Sequence, residues 1–566
     1  MTTLVHESPR YRLELAPDGL ALALSAPDGA RLASLRTLAA LDTTAGLDET
    51  LAVLPPRLDG DTLTVERRST IWDRAVTTVV CRDEAVELHT SVSGRGSLTD
   101  VRLLGFRSLL RGKPSGVMWS GSAFRTLFSP NPSDHRVLRP AAESCVIGVS
   151  GDGEPGRGHW LFTPAPLYLA LSPDDVGEPG DPATWLDLGL AAPVAELGFV
   201  QLVYEARHGG LTLRLEYEGH THVDGGFEAP VLILTPEVTH PYAGLRRHRD
   251  DLVRLEAAPA VAPRDAPTWW REPIFCGWGA QCHLAETEGG RGPDHATQEN
   301  YDGFLATLEA EGVVPGTVVL DDKWQSSYGW NEPDPEKWPD LPGWIADRHE
   351  RGQHVLLWWK AWDPEGLPPE LCVRNAAGEP VAFDPSSPAA RDALGEIVGR
   401  LLSPAGLDAD GLKIDFTART PSGQALTAHG RAWGISLLHE LLAVVHAAAK
   451  AAKPDALVMT HSPHPAFVDV TDMIRLNDMV AGTPSVLAQM RHRADVARSV
   501  CPELLVDTDD WRIPSLAAWR EYATEKPGLG IPSLYYAHSL DATGECFEPR
   551  DYEVLRRTWA DWRAGS

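Results

Sequence analysis

SPAARDALGEIVGRLLSPAGLDADGLKIDF, residues 387–416, decides how the second half of the chain folds. Ser387–Leu402 carries apolar residues at helical spacing, and GLKIDF (Gly411–Phe416) is a short apolar run that ends on a carboxylate. A helix followed by a continuous apolar strand is the repeating unit of a parallel sheet covered on both faces. From Ile274 onward the alternation recurs, with strand candidates IFCGWG, TVVLDD, HVLLWW, GLKIDF, ALVMTH, DMIRLND, LLVDTD and IPSLYY. Helical patterns at Gly430–Ala452, Ser485–Val500 and Pro549–Trp562 separate others of them. Eight such units in about 290 residues match a closed (β/α)8 barrel better than an open sheet. The interval between ALVMTH and DMIRLND is short and holds no clear helix.

Upstream of residue 240 the pattern differs. YRLELAPDGLALALSAPDG, DTLTVERRS, AVELHTSVSG and LTLRLEYEGHTHVDGG alternate apolar and polar residues between Gly, Pro and Asp turn signals. Period-two alternation of this kind predicts an antiparallel sandwich with one wet face per sheet. PYAGLRRHRDDLVRL (Pro241–Leu255) reads as a short helix, and AAPAVAPRDAPTWW as a linker. The expected architecture is multidomain: an N-terminal β-sandwich over 1–240, a helical linker over 241–268 and a (β/α)8 TIM barrel over 269–566.

Composition narrows the partners. The 566 residues carry a net charge of −28, which repels phosphate backbones and anionic lipid and argues against nucleic-acid and membrane partners. The 19 Trp outnumber the 12 Phe and the 11 Tyr. That excess suits stacking on sugar C–H faces, although core packing uses Trp equally. The seven Cys are scattered, with no CxxC pair, and neither a leader-like N-terminus nor an 18-residue apolar run is present. A cytoplasmic location is therefore expected. The sequence leaves the oligomeric state open, a homo-oligomer included.

In such a barrel the active residues lie at the C-terminal ends of the strands. The strand ends here are polar: Asp321 and Asp322, Trp359 and Lys360, Asp415, His461, Asn477 and Asp478, and Asp507, Asp509 and Asp510. Any single Asp after a strand also suits a helix N-cap; a cluster asks for another reason. Two carboxylates flanking one bond are what glycoside hydrolysis requires, one attacking and the other moving a proton. Lys413 lies two residues before Asp415, hence on the same strand face, where it keeps the carboxylate ionised. Arg475 is near Asp478 in sequence, yet alternation sends it to the opposite face unless the strand has ended.

Three segments in order, VVLDDKWQ (Val318–Gln325), GLKIDF and IRLND, carry a resemblance. The barrel half resembles the α-galactosidase-type clan of retaining glycosidases, family 36-like and related to families 27 and 31. The resemblance covers roughly Ile274 to Tyr536. It implies that Asp415 is the nucleophile and Asp478 the acid/base. Asp321 and Asp322 would bind the sugar hydroxyls far from the cleaved bond, Lys413 a neighbouring hydroxyl, and Trp278 and Trp324 would stack on or wall the ring. Trp359, Lys360, His461 and Arg475 complete the expected substrate contacts. No cofactor or metal is implied, and the partner is a small carbohydrate.

The chain departs from that pattern in four places. Ile414 replaces the Trp between Lys and nucleophile, and Phe416, Thr417 and Ala418 follow with Arg419 displaced. THSPHP (Thr460–Pro465) replaces a Gly-rich segment. Lys360 stands where a neutral or acidic group is commoner, and the usual C-terminal β-domain is not expected. These changes leave the reaction type standing and open the choice of sugar; Lys360, Arg419 and Arg374 suit an anionic one. The expected activity is hydrolysis of a terminal α-linked sugar. The alternatives are transfer through the same intermediate, carbohydrate binding without catalysis, and a metal-dependent hydrolase. The H-x-x-H at His461 and His464 contains Pro463, and DTDDW (Asp507–Trp511) lacks the Gly and distal Glu of a calcium loop.

Overall fold

The computed structural model describes residues 4–109, 116–121, 124–130, 144–149, 162–177, 181, 183–207, 209–261, 265–479 and 485–565. Part of the expected linker, residues 262–264, lies outside them.

The N-terminal half is sheet-rich and almost wholly antiparallel, with strands from Leu4–Glu7 to Val231–Val238. Burial alternates along Ala21–Ser25 and Thr62–Ser69, as the period-two pattern requires. Among the described residues nineteen strands join one hydrogen-bonded network. The long strands Val86–Leu103 and Gly210–Glu228 pair with each other and with several neighbours in turn, which carries the ladder from one part to the next. The helix Pro241–Arg254 packs its apolar side on the strands Tyr168–Ser172 and Trp185–Ala191, and also against a helix of the C-terminal half, Val486–Val500.

The C-terminal half is an eight-stranded parallel sheet. Its strands are β1 (Ile274–Cys276), β2 (Thr317–Leu320), β3 (His354–Lys360), β4 (Gly411–Asp415), β5 (Leu457–Thr460), β6 (Met473–Arg475), β7 (Leu505–Asp507) and β8 (Ser533–Leu534). β8 pairs with β1, and bonds from Thr508 N to Ile531 O and from Ile531 N to Val506 O draw β7 to the segment entering β8. The ring is thus nearly closed. Helices cover every crossover but one: β5 reaches β6 through a single 3-10 turn, Pro465–Phe467. The helix Gly434–Ala452 is long and apolar enough to cross a membrane by length and composition. Its Leu437, Leu438, Leu441, Leu442 and Val445 are buried within the protein.

The two halves dock around the segment joining β4 to that helix. The amides of Ile435 and Ser436, in its first turn, donate to the carbonyls of Phe199 and Leu197 in the N-terminal half. Carbonyls of one half thus satisfy amide groups that a helix start leaves without partners. Gly434 makes the approach possible. Its φ is +58°, and a Cβ there would sit 2.1 Å from Phe199 O. Gly434→Ala is therefore expected to destabilise the protein by about 2–4 kcal/mol, read as a lower denaturation midpoint. Gly303→Ala, on a helix where a Cβ meets nothing within 4 Å, is the control and should stabilise by up to about 1 kcal/mol.

Candidate active site

The polar side chains expected at the strand ends gather at the C-terminal mouth of the barrel. Backbone strain gathers there too. Lys323, Trp362, Phe416, Asn477 and Asp509 have positive φ, and each lies within three residues of the end of β2, β3, β4, β6 or β7. Non-glycine residues hold that conformation only where their surroundings impose it, as happens at functional sites.

Asp415 ends β4. Its Oδ1 accepts from Phe416 N at 2.8 Å and from Arg475 Nη2 at 3.0 Å, and its Oδ2 from Trp358 Nε1 at 3.2 Å. Arg475 is 1% exposed. Its Nη1 donates to Asp509 Oδ2 at 2.7 Å and to Asp478 Oδ1 at 3.3 Å. One guanidinium therefore holds Asp415 and Asp478 on its two arms. Strict alternation sends Arg475 away from Asp478; the strand instead ends at Arg475, and Asn477 at φ +69° turns Asp478 back toward it.

The shared cation leaves the two carboxyls in opposite conditions. Burial acts to raise the pKa of Asp415, but Arg475 and the Phe416 N–H outweigh it and hold the group well below the usual carboxylate range. For Asp478, burial together with the charges of Asp509 and Asp415 outweighs Arg475 and pushes the pKa up to about 7. The Asp478 side chain is 34% exposed, so water and a leaving-group oxygen can reach its carboxyl.

Arg493 supports this segment from behind. Fully buried on the helix Val486–Val500, it donates from Nη1 to the carbonyls of Leu476, Asn477 and Asp478 at 2.9, 2.7 and 2.8 Å. Met479 N donates to Trp511 O at 2.6 Å, tying the loop after β6 to the one after β7.

Several expected substrate contacts take other positions. Asp321 and Lys413, each 2% exposed, face each other at 2.6 Å with the Cys276 thiol donating to Asp321. They are paired within the protein, since opposite charges at this depth persist only when paired. Trp324 is 0% exposed and donates to Trp358 O, so neither ring face is available for stacking. Trp359 pairs in register with Ile414, whereas Trp358 and Lys360 pair with Lys413 and Asp415. Alternation thus puts Trp358, not Trp359, on the site face. Arg475 binds carboxylates and is closed off from solvent. His461 is 1% exposed, its Nε2 is 2.6 Å from Thr417 Oγ1, and burial pushes its pKa down to about 4; it is neutral at pH 7.

Asp322, Trp278 and Lys360 remain half-buried at the mouth. Asp322 Oδ1 accepts from Tyr328 OH at 2.7 Å, and burial lifts its pKa to about 6. Lys323 and Lys360 lie 3.8 and 4.0 Å from the Tyr328 ring centroid, paired with Glu365 and Asp363 respectively. Trp278 meets Trp511 edge-on at 5.7 Å. Sequence reasoning did not single out Trp358, Tyr328 or Arg493. Only the register of β3 on β4 and the return of a distant helix bring them here.

Among the described residues no three His, Cys, Asp or Glu side chains converge as a metal site. His464 Nδ1 accepts from Ala466 N, apart from the bond His461 makes to Thr417. In DTDDW, Asp509 is bound to Arg475, and Asp510 to Lys526 at 2.5 Å.

No family model matches the chain, and no curated protein does. Solved structures do. A family GH31 sulfoquinovosidase from E. rectale aligns over 99% of this chain and 83% of its own, with TM-score 0.59 and 11% identity. A cycloalternan-degrading enzyme from Trueperella pyogenes, in complex with covalent intermediate, aligns over 97% and 83%, with TM-score 0.53 and 12% identity. The cycloalternan-forming enzyme from Listeria monocytogenes aligns over 98% and 56%, with TM-score 0.54 and 9% identity. The family named among these is 31, which the sequence resemblance gave as a relative of the expected family 36, and the chain is similar in fold to these carbohydrate-active enzymes across both of its halves.

Proposed function

We propose that this protein is a retaining, exo-acting α-glycosidase. Asp415 attacks the anomeric carbon. Asp478 protonates the leaving oxygen and then takes a proton from the incoming water. The observation that carries this reading is the Arg475 fork, which joins two carboxyls and leaves one ionised and the other able to hold a proton near neutrality. The covalent intermediate named for the Trueperella enzyme on the same fold supports the double displacement. With Asp478 protonated, Asp321, Asp415 and Asp509 outnumber Lys413 and Arg475 by one charge. That field favours the positive charge of an oxocarbenium-like transition state. Two opposed carboxyl states also weigh against a barrel that only binds sugar.

A neutral sugar fits better than an anionic one. Lys360 and Lys323 are each neutralised by a carboxylate, Arg374 sits on the hairpin 372–383, and Arg419 is exposed over the Phe416 ring. The resemblance of VVLDDKWQ, GLKIDF and IRLND to the α-galactosidase-type clan favours an α-galactoside. A panel of aryl α- and β-glycosides, with sulfoquinovoside and uronide included, tests both points. Release from one neutral α-glycoside supports the proposal; release from the anionic members alone overturns the charge argument, and release from β-glycosides alone the anomeric one. Transfer is the second reading, favoured by the presence of a cycloalternan-forming enzyme among the similar folds. Product analysis with added sugar acceptor distinguishes it from hydrolysis.

Asp478→Ala should lower kcat/KM by about 10³-fold on alkyl glycosides and far less on activated aryl glycosides, which need little protonation. In the unaltered enzyme activity should fall as pH rises through about 7, where Asp478 loses its proton. That limb should vanish in Asp478→Ala. Equal losses on both substrate types would remove Asp478 from the acid/base role.

A further inference from the structure

We infer that Glu218, in the N-terminal half, is a positioning residue for the loop that begins at Asp415. The inference rests on the glycosidase reading and adds a residue to it from outside the barrel.

Glu218 lies inside the strand Gly210–Glu228, where a regular ladder would leave it in extended conformation. Instead its φ is +55° and that of Gly219 is +86°. Glu216 stands opposite Asp100 and Thr221 opposite Leu98, so residues 217–220 face Thr99 alone. Such a bulge re-aims a side chain, and a left-handed Glu, unlike a left-handed Gly, persists only when something holds it. What holds it is the barrel. Glu218 Oε1 accepts from Ser422 Oγ at 2.6 Å, and Oε2 accepts from Gly423 N at 2.9 Å and Trp433 Nε1 at 3.1 Å. The His220 ring, on the same bulge, stacks on Trp433 at 3.6 Å, and its Nε2 lies 3.1 Å from Gly423 O.

The gripped segment is the one that starts at the proposed nucleophile. Phe416 at φ +58° donates its N–H to Asp415. Thr417 is locked through its carbonyl to Trp362 Nε1 and through its hydroxyl to His461. Thr420 N donates to Thr417 O, and Ser422 follows. From Asp415 to the Glu218 clamp the backbone is thus a short series of bonded turns. Releasing the far end loosens the Phe416 amide that helps keep Asp415 ionised. The titratable groups facing Asp415 are Arg475 at the end of β6, Asp478 in the turn after it, Lys413 on its own strand, His461 after β5 and Asp322 after β2. None of them is touched by Glu218, so a change at Glu218 reaches Asp415 through the loop alone.

The test is Glu218→Met, which keeps the length of the side chain but offers no acceptor to Ser422, Gly423 or Trp433. Glu218→Gln, whose amide can turn its oxygen to Gly423 and Trp433 and its NH2 to the Ser422 hydroxyl, is the conservative control and should keep the parent's rate and limbs. Three measurements are made on the full chain: the thermal midpoint, the pH profile of kcat/KM with an activated aryl glycoside, and backbone amide exchange. The expected result for Glu218→Met is a midpoint within about 2 °C of the parent, kcat/KM about tenfold lower, the acid limb moved to higher pH and the alkaline limb unmoved. Exchange should quicken at Phe416 and Gly423 while the barrel strands stay protected. Trp433→Phe, which removes one of the three donors, should combine with Glu218→Met less than additively. An active parent enzyme with unchanged rate and acid limb in Glu218→Met overturns the inference. So does a rate loss that merely follows a lowered midpoint with both limbs in place. An inactive parent overturns the glycosidase reading instead, and the exchange measurement then decides separately whether Glu218 holds the loop.

Discussion

Asp415→Ala is expected to lower turnover by about 10⁴-fold or more while the protein stays folded. The size follows from chemistry: without the carboxylate no glycosyl–enzyme bond can form, and what remains is whatever the Asp478 acid and substrate positioning supply. Stability should change little. Arg475 keeps Asp509 at 2.7 Å and Asp478 at 3.3 Å, and the lost carboxylate is 22% exposed, so water can reach the vacated space. Added azide provides an independent reading. In a pocket enlarged by the substitution it should attack from the side Asp415 occupied and give a glycosyl azide of inverted configuration. Retention of more than about 1% of turnover by Asp415→Ala, or an azide product of unchanged configuration, would place the nucleophile elsewhere.

Arg475→Met should damage both stability and activity, with a loss of about 3–5 kcal/mol at neutral pH. The loss arises because Asp509, 0% exposed, would keep its charge with only Tyr535 OH and nearby amides for company. The pH dependence has a definite sign. Burial opposes the charge on Asp415 and Asp509, yet Arg475 holds both pKa values below the unfolded carboxylate value near 4. Their contribution is therefore present above that value and is lost as pH falls through the folded values. Without Arg475 both carboxyls take up protons more readily, so the gap between variant and parent should narrow from pH 7 toward pH 4. Denaturation midpoints at the two pH values measure this. The acid limb of activity should also rise, since Asp415 would need higher pH to ionise. Arg475→Lys should rescue little, because one ammonium cannot span three carboxylates as a planar fork does. A gap that is constant or widens toward pH 4 would mean that Arg475 acts through packing alone.

Much of the fold was legible because it is written in local periodicity. GLKIDF and its neighbours are apolar runs between helical patterns, and eight runs form a nearly closed ring. The poorly helical interval after ALVMTH proved to be a single 3-10 turn for the same local reason. The single N-terminal network was not legible, because nothing in a strand's own sequence says how long it stays paired or with whom. Residues such as Val86–Leu103 acquire four partner strands only when the chain is assembled.

At the site the division is sharper. The sequence by itself placed Asp415 at a strand end, since an apolar run that stops on a carboxylate can be read without any partner; Asp478, expected to end DMIRLND, instead follows β6 by three residues. The sequence could not place Arg475, whose direction depends on the strand stopping and Asn477 turning. Nor could it choose between Trp358 and Trp359, because the choice depends on the register of β3 against β4. Whether Asp321 and Lys413 meet a ligand or each other was equally beyond it, as was the reach of Glu218 into the barrel across 204 positions of chain to Ser422. Strand order, register and domain docking are long-range events. They decide which charges become neighbours, and at this depth it is a carboxyl's neighbours that set its protonation state.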